Sequence, residues 1–160
     1  MKLNDDAPDE ARDVDVLVRN LNKNDLERVL RIDRAATGLD RRTFMQERAD
    51  SALEESGMRV SLAAEVDGSL VGFLLASVHH GEYGRPVPVA NIDTIGVDPN
   101  FKGKGVGRAL MRQLTQNLRA LRVERLETHV SWDEWDLMAF LRASGFAPAP
   151  RICLELDLEA

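Results

Sequence analysis

Three glycines at alternate positions, Gly103, Gly105 and Gly107, separate a strand-like run that closes on Asp98-Pro99 from a helix-like run that begins near Arg108. Glycine at this spacing lets backbone N–H groups turn toward one point, and lets a ligand approach with no Cβ in the way. The start of the helix adds unpaired N–H donors and the positive end of a dipole, which together favour a phosphate or pyrophosphate. Lys102, Lys104 and Arg108 bring formal positive charge to the same place in a chain whose net charge is -6. Without a ligand to serve, three such glycines would only cost stability. The segment is not a Walker loop, which needs Gly-Lys-Ser/Thr after a four-residue spacer, and Arg108 stands where a dinucleotide fingerprint needs its third glycine.

The rest of the chain alternates between strand and helix periods. Val14, Val16 and Val18 alternate in a first strand, and Asn22 or Asn24 can cap a helix with Leu26, Val29, Leu30 and Asp33 on one side. A second helix is predicted over 41–55, with Gly57 placed to end it. Met58–Val66 and Ser69–Val78 read as two strands joined by Asp67-Gly68, a strong hairpin signal. A polar loop over 79–85 leads to a strand over Val87–Val97. Leu110, Leu114, Leu118 and Leu121 line one face of the helix after the glycines. Arg125–Val130 reads as a strand, a short helix runs to Ser144, and Ile152, Leu154, Leu156 and Leu158 alternate in a last strand. This order predicts one mixed α/β domain over residues 14–160, preceded by a flexible acidic tail over 1–13.

Composition narrows the function. A net charge of -6 argues against nucleic-acid binding, which rests on clustered Lys and Arg, and leaves room for a cationic partner such as an amine. The single cysteine, Cys153, can form no intramolecular disulfide and reads as a half-buried thiol in the last strand. The first residues are acidic rather than apolar, and no apolar run is long enough to span a bilayer, so a cytoplasmic protein with no membrane partner is expected. No cluster of ligand residues points to a metal.

The stretch Ile92-Asp93-Thr94-Ile95-Gly96-Val97-Asp98-Pro99-Asn100-Phe101-Lys102-Gly103-Lys104-Gly105-Val106-Gly107-Arg108-Ala109-Leu110 resembles the core motif of the GNAT superfamily of N-acetyltransferases. That motif is an apolar strand ending in Val-x-Pro, followed by Arg/Gln-x-x-Gly-x-Gly/Ala at the start of a helix. Gly105 and Gly107 match its glycines, and Lys102 takes the Arg/Gln place. Ala139-Phe140-Leu141-Arg142-Ala143-Ser144-Gly145-Phe146 is similar to the family's last helix with its Gly-Phe ending. The resemblance implies a mixed, mostly antiparallel sheet whose strands four and five, about 89–97 and 124–131, splay apart around the coenzyme. It implies acetyl-CoA as co-substrate. Ile95, Gly96 and Val97 would hold the pantetheine arm, and Lys102, Gly103, Lys104, Gly105, Val106, Gly107 and Arg108 the pyrophosphate. A primary amine on a small molecule or peptide would attack the acetyl group directly, and a homodimer would follow family habit.

A protonated amine must lose its proton before it attacks. Asp93, an acid inside an apolar strand, is the first candidate base, since family bases on this strand lie at its position or at Asn91. His129 is the second, on the predicted fifth strand, two residues after Glu127. His79 and His80 read as solvated loop residues, and Trp132 and Trp135 as core, with an acceptor-site wall or a subunit contact as the rival reading. Leu141 stands where many family members carry a proton-donating tyrosine, and the only tyrosine is Tyr83. That departure keeps a second function open: a non-catalytic acetyl-CoA-binding regulatory protein.

Overall fold

In a computed structural model describing residues 14–54, 60–80 and 86–159, Asp67 and Gly68 both take positive φ, 50° and 74°. This is the geometry of a tight hairpin turn, and it brings Val66 opposite Ser69. The hairpin joins β2 (Leu62–Val66) to β3 (Ser69–His80) at the heart of a five-stranded sheet completed by β1 (Leu17–Asn20), β4 (Pro88–Val97) and β5 (Arg125–Thr128). Spatial order follows chain order, β1-β2-β3-β4-β5. The first three pairings are antiparallel, and β4 with β5 is parallel. Helices α1 (Leu26–Thr37) and α2 (Arg42–Glu54) separate β1 from β2, and α3 (Val106–Ala120) carries the crossover from β4 to β5. The chain divides into two compact units, one ending at His129 and one beginning at Val130. The second contains α4 (Trp135–Ala143).

Alternation along the strands sorts the core into two layers. Ala63, Phe73 and Leu75 share a buried cluster with Val29, Leu30 and Ile32 of α1 and Met45 of α2. On the opposite face, Gly72 abuts Val106 and Leu110 of α3, whose buried stripe continues through Leu114 and Leu118. The expected helices, hairpin and central strands are therefore present, with ends shifted by a few residues. Asn22 caps the 3-10 turn Lys23–Asp25 that runs into α1: its side chain accepts from Asn24 N–H at 2.9 Å while Asp25 accepts from Asn22 N–H at 2.9 Å.

Three expectations fail. Ile152 to Leu158 form no strand, and Cys153 is exposed with them rather than half-buried. His79 and His80 belong to β3, opposite Val89 and Pro88, rather than to a loop. Trp132 and Trp135 are 90% and 72% exposed, so they are not core. The tail over 1–13, Gly57, Met58 and Tyr83 lie outside the described residues.

Two contacts tie the fold together at points where one substitution is decisive. Gly96 lies opposite Phe73, and a Cβ there would come within 2.5 Å of the Phe73 ring. Gly96→Ala is expected to lower stability by about 1–3 kcal/mol, the cost of overfilling a packed core, read from urea unfolding. Near β1, Asp25 is buried, which works against its charge. The hydrogen bond from Arg19, the Asn22 N–H and the Arg19 charge outweigh that burial and hold its carboxyl below the usual aspartate range. A depressed folded-state pKa stabilises the fold above the unfolded value of ~3.9, and this contribution disappears as pH falls through the folded value. Asp25→Asn is therefore expected to melt lower than the natural chain at pH 7. The gap should close on acidification below about pH 4 in thermal melts.

Candidate active site

The sheet opens at one rung. Parallel pairing of β4 with β5 runs from Val89↔Arg125 to Ile92↔Thr128 and stops, although β4 continues five residues further to Val97. Thr128 closes the last rung by donating its hydroxyl to Ile92 O at 3.1 Å. The stop coincides with a register shift between β3 and β4. Leu75 faces Thr94 and Ala76 faces Ile92, which leaves Asp93 as the extra residue of a bulge. A bulge bends and twists its strand. Here the bend falls where β4 and β5 part, leaving Ile95, Gly96 and Val97 half-buried and paired with β3 alone. Ser61 supports β3 beside the bulge: its hydroxyl accepts from Ala76 N–H and donates to Ala76 O, both at 3.1 Å.

β4 leads directly into the glycine segment. Asp98 accepts from Asn100 N–H at 3.0 Å, starting a short 3-10 turn over Pro99–Phe101. Arg28 of α1 anchors that turn, bonding Leu70 O at 2.9 Å and Asp98 at 3.1 Å. Gly103 and Gly105 follow with φ of 72° and 83°, a left-handed conformation that glycine alone adopts cheaply. A Cβ at Gly103 would meet nothing within 4 Å, so the backbone there faces open space. Gly105 caps α3, and the first intrahelical bond is Ala109 N–H to Gly105 O at 2.9 Å. The amides ahead of it, at Val106 and Gly107, therefore lie in the turn whose donors the helix does not use. Lys102 is exposed and Lys104 Nζ sits 5.0 Å from the Phe101 ring centre, which keeps both charges beside the turn. Arg108 is exposed on the first turn of α3.

Asp93 is half-buried and shares a cluster with residues from α2 and β3. Ser77 donates its hydroxyl to Asp93 Oδ2 at 3.4 Å and lies 2.9 Å from His79 Nε2. Arg48 of α2 approaches Asp93 Oδ1 at 3.9 Å and stacks over Phe44, 5.5 Å from the ring centre. His129 is exposed. By register it is the first residue past the last β5 rung, as Asp93 is the first past the last β4 rung. The two candidate bases therefore flank the mouth of the opening without touching.

A splayed parallel pair, a bulge at the splay and a left-handed glycine turn capping the following helix form one continuous groove wall. The sequence model of the acetyltransferase (GNAT) family matches residues 26–146. The chain belongs to this family. A mycothiol acetyltransferase of Propionibacterium freudenreichii subsp. shermanii is 34% identical over 113 residues, covering 71% of this chain and 34% of the relative. One from a Nocardioides species is 26% identical over 156 residues, covering 89% and 52%. The chain thus spans between a third and about half of the length of these two relatives. Among solved structures, the aminoglycoside N-acetyltransferase AAC(6')-Iy in complex with CoA shares the fold with a TM-score of 0.75. It is 20% identical, and the match covers 92% of this chain and 97% of that one. The ribosomal-protein-S18-alanine N-acetyltransferase of Escherichia coli gives 0.70 at 20% identity, covering 84% and 79%.

Two features distinguish this GNAT chain at its site. Leu141, at the position of the resemblance's proton-donating tyrosine, is buried in α4 and offers no proton. Ser77, His79 and Arg48 join Asp93, although the sequence pattern did not single out Ser77 or Arg48. The two-residue spacing of Ser77 and His79 was the available signal, since it puts both on one face of a strand. Their meeting with Asp93 depends on the bulge, which alternation does not reveal. Away from this site, a shallow cavity of about 510 Å³ lies between β1 and α3, lined by Val18, Asn20, Gln113 and Asn117 among others.

Proposed function

We propose that this chain is an N-acetyltransferase that binds acetyl-CoA in the opening between β4 and β5 and passes its acetyl group to a primary amine. The observation that carries the reading is the coincidence, at one rung, of the end of the parallel ladder and the bulged carboxylate of Asp93. The opening fits the coenzyme on its own chemistry. The turn through Gly103 and Gly105 presents backbone amides, with open space where a Cβ on Gly103 would stand, beside Lys102 and Lys104, as suits a pyrophosphate. The half-buried stretch Ile95, Gly96 and Val97, paired on one side only, suits the amide-bearing pantetheine arm. Bound there, acetyl-CoA supplies the activated acetyl group.

Asp93 removes the proton from the acceptor ammonium. Its carboxylate is held by Ser77 on one oxygen, while the 3.9 Å approach of Arg48 to the other is long enough for an arriving amine to replace. Ser77 and His79 extend the proton path outward, and His129 stands on the opposite lip as a second acceptor of protons. No side-chain acid is required for the departing thiol, because a thiolate whose conjugate acid has a pKa of about 8.5 leaves readily near neutral pH. That accommodates Leu141. The acceptor is an amine rather than an anion, in keeping with the acidic balance of the chain, -6 overall. The relatives named for mycothiol and aminoglycosides make amine-bearing small molecules the first panel to test.

The test is thiol release from acetyl-CoA across a panel of small amines and peptides, with coenzyme binding measured in parallel. Asp93→Asn is expected to reduce kcat by about 100-fold or more while leaving coenzyme affinity within about twofold. Tight coenzyme binding with no thiol release from any acceptor would replace this reading with the non-catalytic coenzyme-binding one.

A further inference from the structure

Arg41, just ahead of α2, lies three residues before Phe44, and Arg48 lies four after it, which places all three on one face of the helix. Arg41 O accepts from Met45 N–H at 2.9 Å, so Arg41 already belongs to the first turn. The guanidinium groups of Arg41 and Arg48 each stand 5.5 Å from the Phe44 ring centre. On the adjoining face Met45 and Ala49 are buried, and Met45 shares the cluster of Phe73 and Leu75 of β3. The packed helix and the ring together hold Arg48 in place beside the sheet.

The arginines at this helix start differ in what balances them. Arg41 is bound to the buried Asp33 of α1, and Arg42 to Glu27 at 2.8 Å. Arg48 faces Asp93 at 3.9 Å, well beyond the roughly 2.7–2.9 Å of a charge-assisted hydrogen bond. Its side chain is 51% exposed, so a ligand arriving from solvent can reach it. Arg48 and Asp93 thus form a pair of opposite charges with a gap between them.

An acceptor ammonium that lands on Asp93 takes the place of Arg48 there. The guanidinium keeps its seat on Phe44 and gains most from a new anion, and its planar fork of donors matches a carboxylate. The 3.9 Å gap sets how close the two groups of the ligand lie. With bonds of about 2.8 Å to Asp93 and to Arg48, the ligand's amine and carboxylate must be neighbours. Standard bond lengths put the nitrogen of an α-amino acid roughly 3 Å from its own carboxylate oxygens. Four charges of alternating sign then close a ring: Arg48, ligand carboxylate, ligand ammonium and Asp93. A peptide N-terminus, whose neighbouring carbonyl belongs to an amide, brings no such anion.

We propose that the acceptor is a free α-amino acid, its carboxylate bound by Arg48 while Asp93 takes its ammonium. The proposal rests on the reading of Asp93 as the base for acetyl transfer. The ammonium gives one proton to Asp93, the freed nitrogen bonds the acetyl carbon, and the C–S bond breaks with its electron pair on sulfur. The second proton lost from nitrogen neutralises the thiolate. The N-acetylamino acid so formed has no cation left for Asp93, which favours its release.

The test compares each common amino acid with its own carboxamide, by thiol release from acetyl-CoA and by calorimetric binding to the chain saturated with coenzyme A. At least one free acid is expected to exceed its amide by about 10–100-fold in kcat/KM, the worth of a charge-assisted bond. Arg48→Met should collapse that ratio to within about threefold, chiefly through KM, whereas Arg48→Lys, which keeps the charge without the fork, should retain part of it. If Arg48→Met does not fold, the ratio in the natural chain and in Arg48→Lys decides. Amides that equal or exceed every acid overturn the proposal and leave acetyl transfer standing. An acid preference that survives in Arg48→Met overturns it too, as do acids that neither bind nor react. Arg48-dependent binding of free acids, with no thiol release from any acceptor, overturns the acetyl-transfer reading and keeps the carboxylate site.

Discussion

One extra residue in β4 sets the geometry on which the site depends. Asp93 breaks the register with β3 between Ile92 and Thr94, and parallel pairing with β5 ends at the preceding rung. A regular strand would have continued the ladder, closed the opening and left no backbone available to a ligand. The bulge opens the sheet and delivers a carboxylate at the point where it opens. The surrounding structure keeps this arrangement from relaxing. Ser61 holds the β3 backbone next to the bulge, and Thr128 seals the last paired rung.

The floor of the opening and the start of α3 are kept close by glycines that side chains would force apart. A Cβ on Gly72 would come within 2.7 Å of Val106, the first residue of α3, so the helix start rests directly on β3. Gly96 gives the Phe73 ring the same intimacy on the other face. Arg28 then ties α1 to the turn through Leu70 and Asp98. These contacts connect the helical layer on one face, the sheet and the glycine turn. Strain introduced at Gly72 or Gly96 is therefore transmitted toward the turn.

Much of this was legible in the sequence, for identifiable reasons. Asp67-Gly68, the Leu110 to Leu118 stripe and the alternating glycines are local signals, and local physics decides them. Asp93 stood out as an acid in an apolar strand. The bulge itself was hidden, because an insertion is defined only against its partner strand. Ser77 and Arg48 could not be tied to Asp93 without it. His79 was misplaced in a loop because β3 runs two residues past its apolar run. The Ile152 to Leu158 alternation has the period of a strand, yet the segment forms none, because period alone supplies no partner to pair with.

The claim that the opening at Asp93 is the coenzyme site is tested most directly by hydrogen exchange with and without saturating coenzyme A. Exchange should slow at the backbone amides of residues 93–97 and 103–108. Protection confined to the β1–α3 cavity around Val18, Asn20, Gln113 and Asn117, or no protection at saturation, would contradict the account.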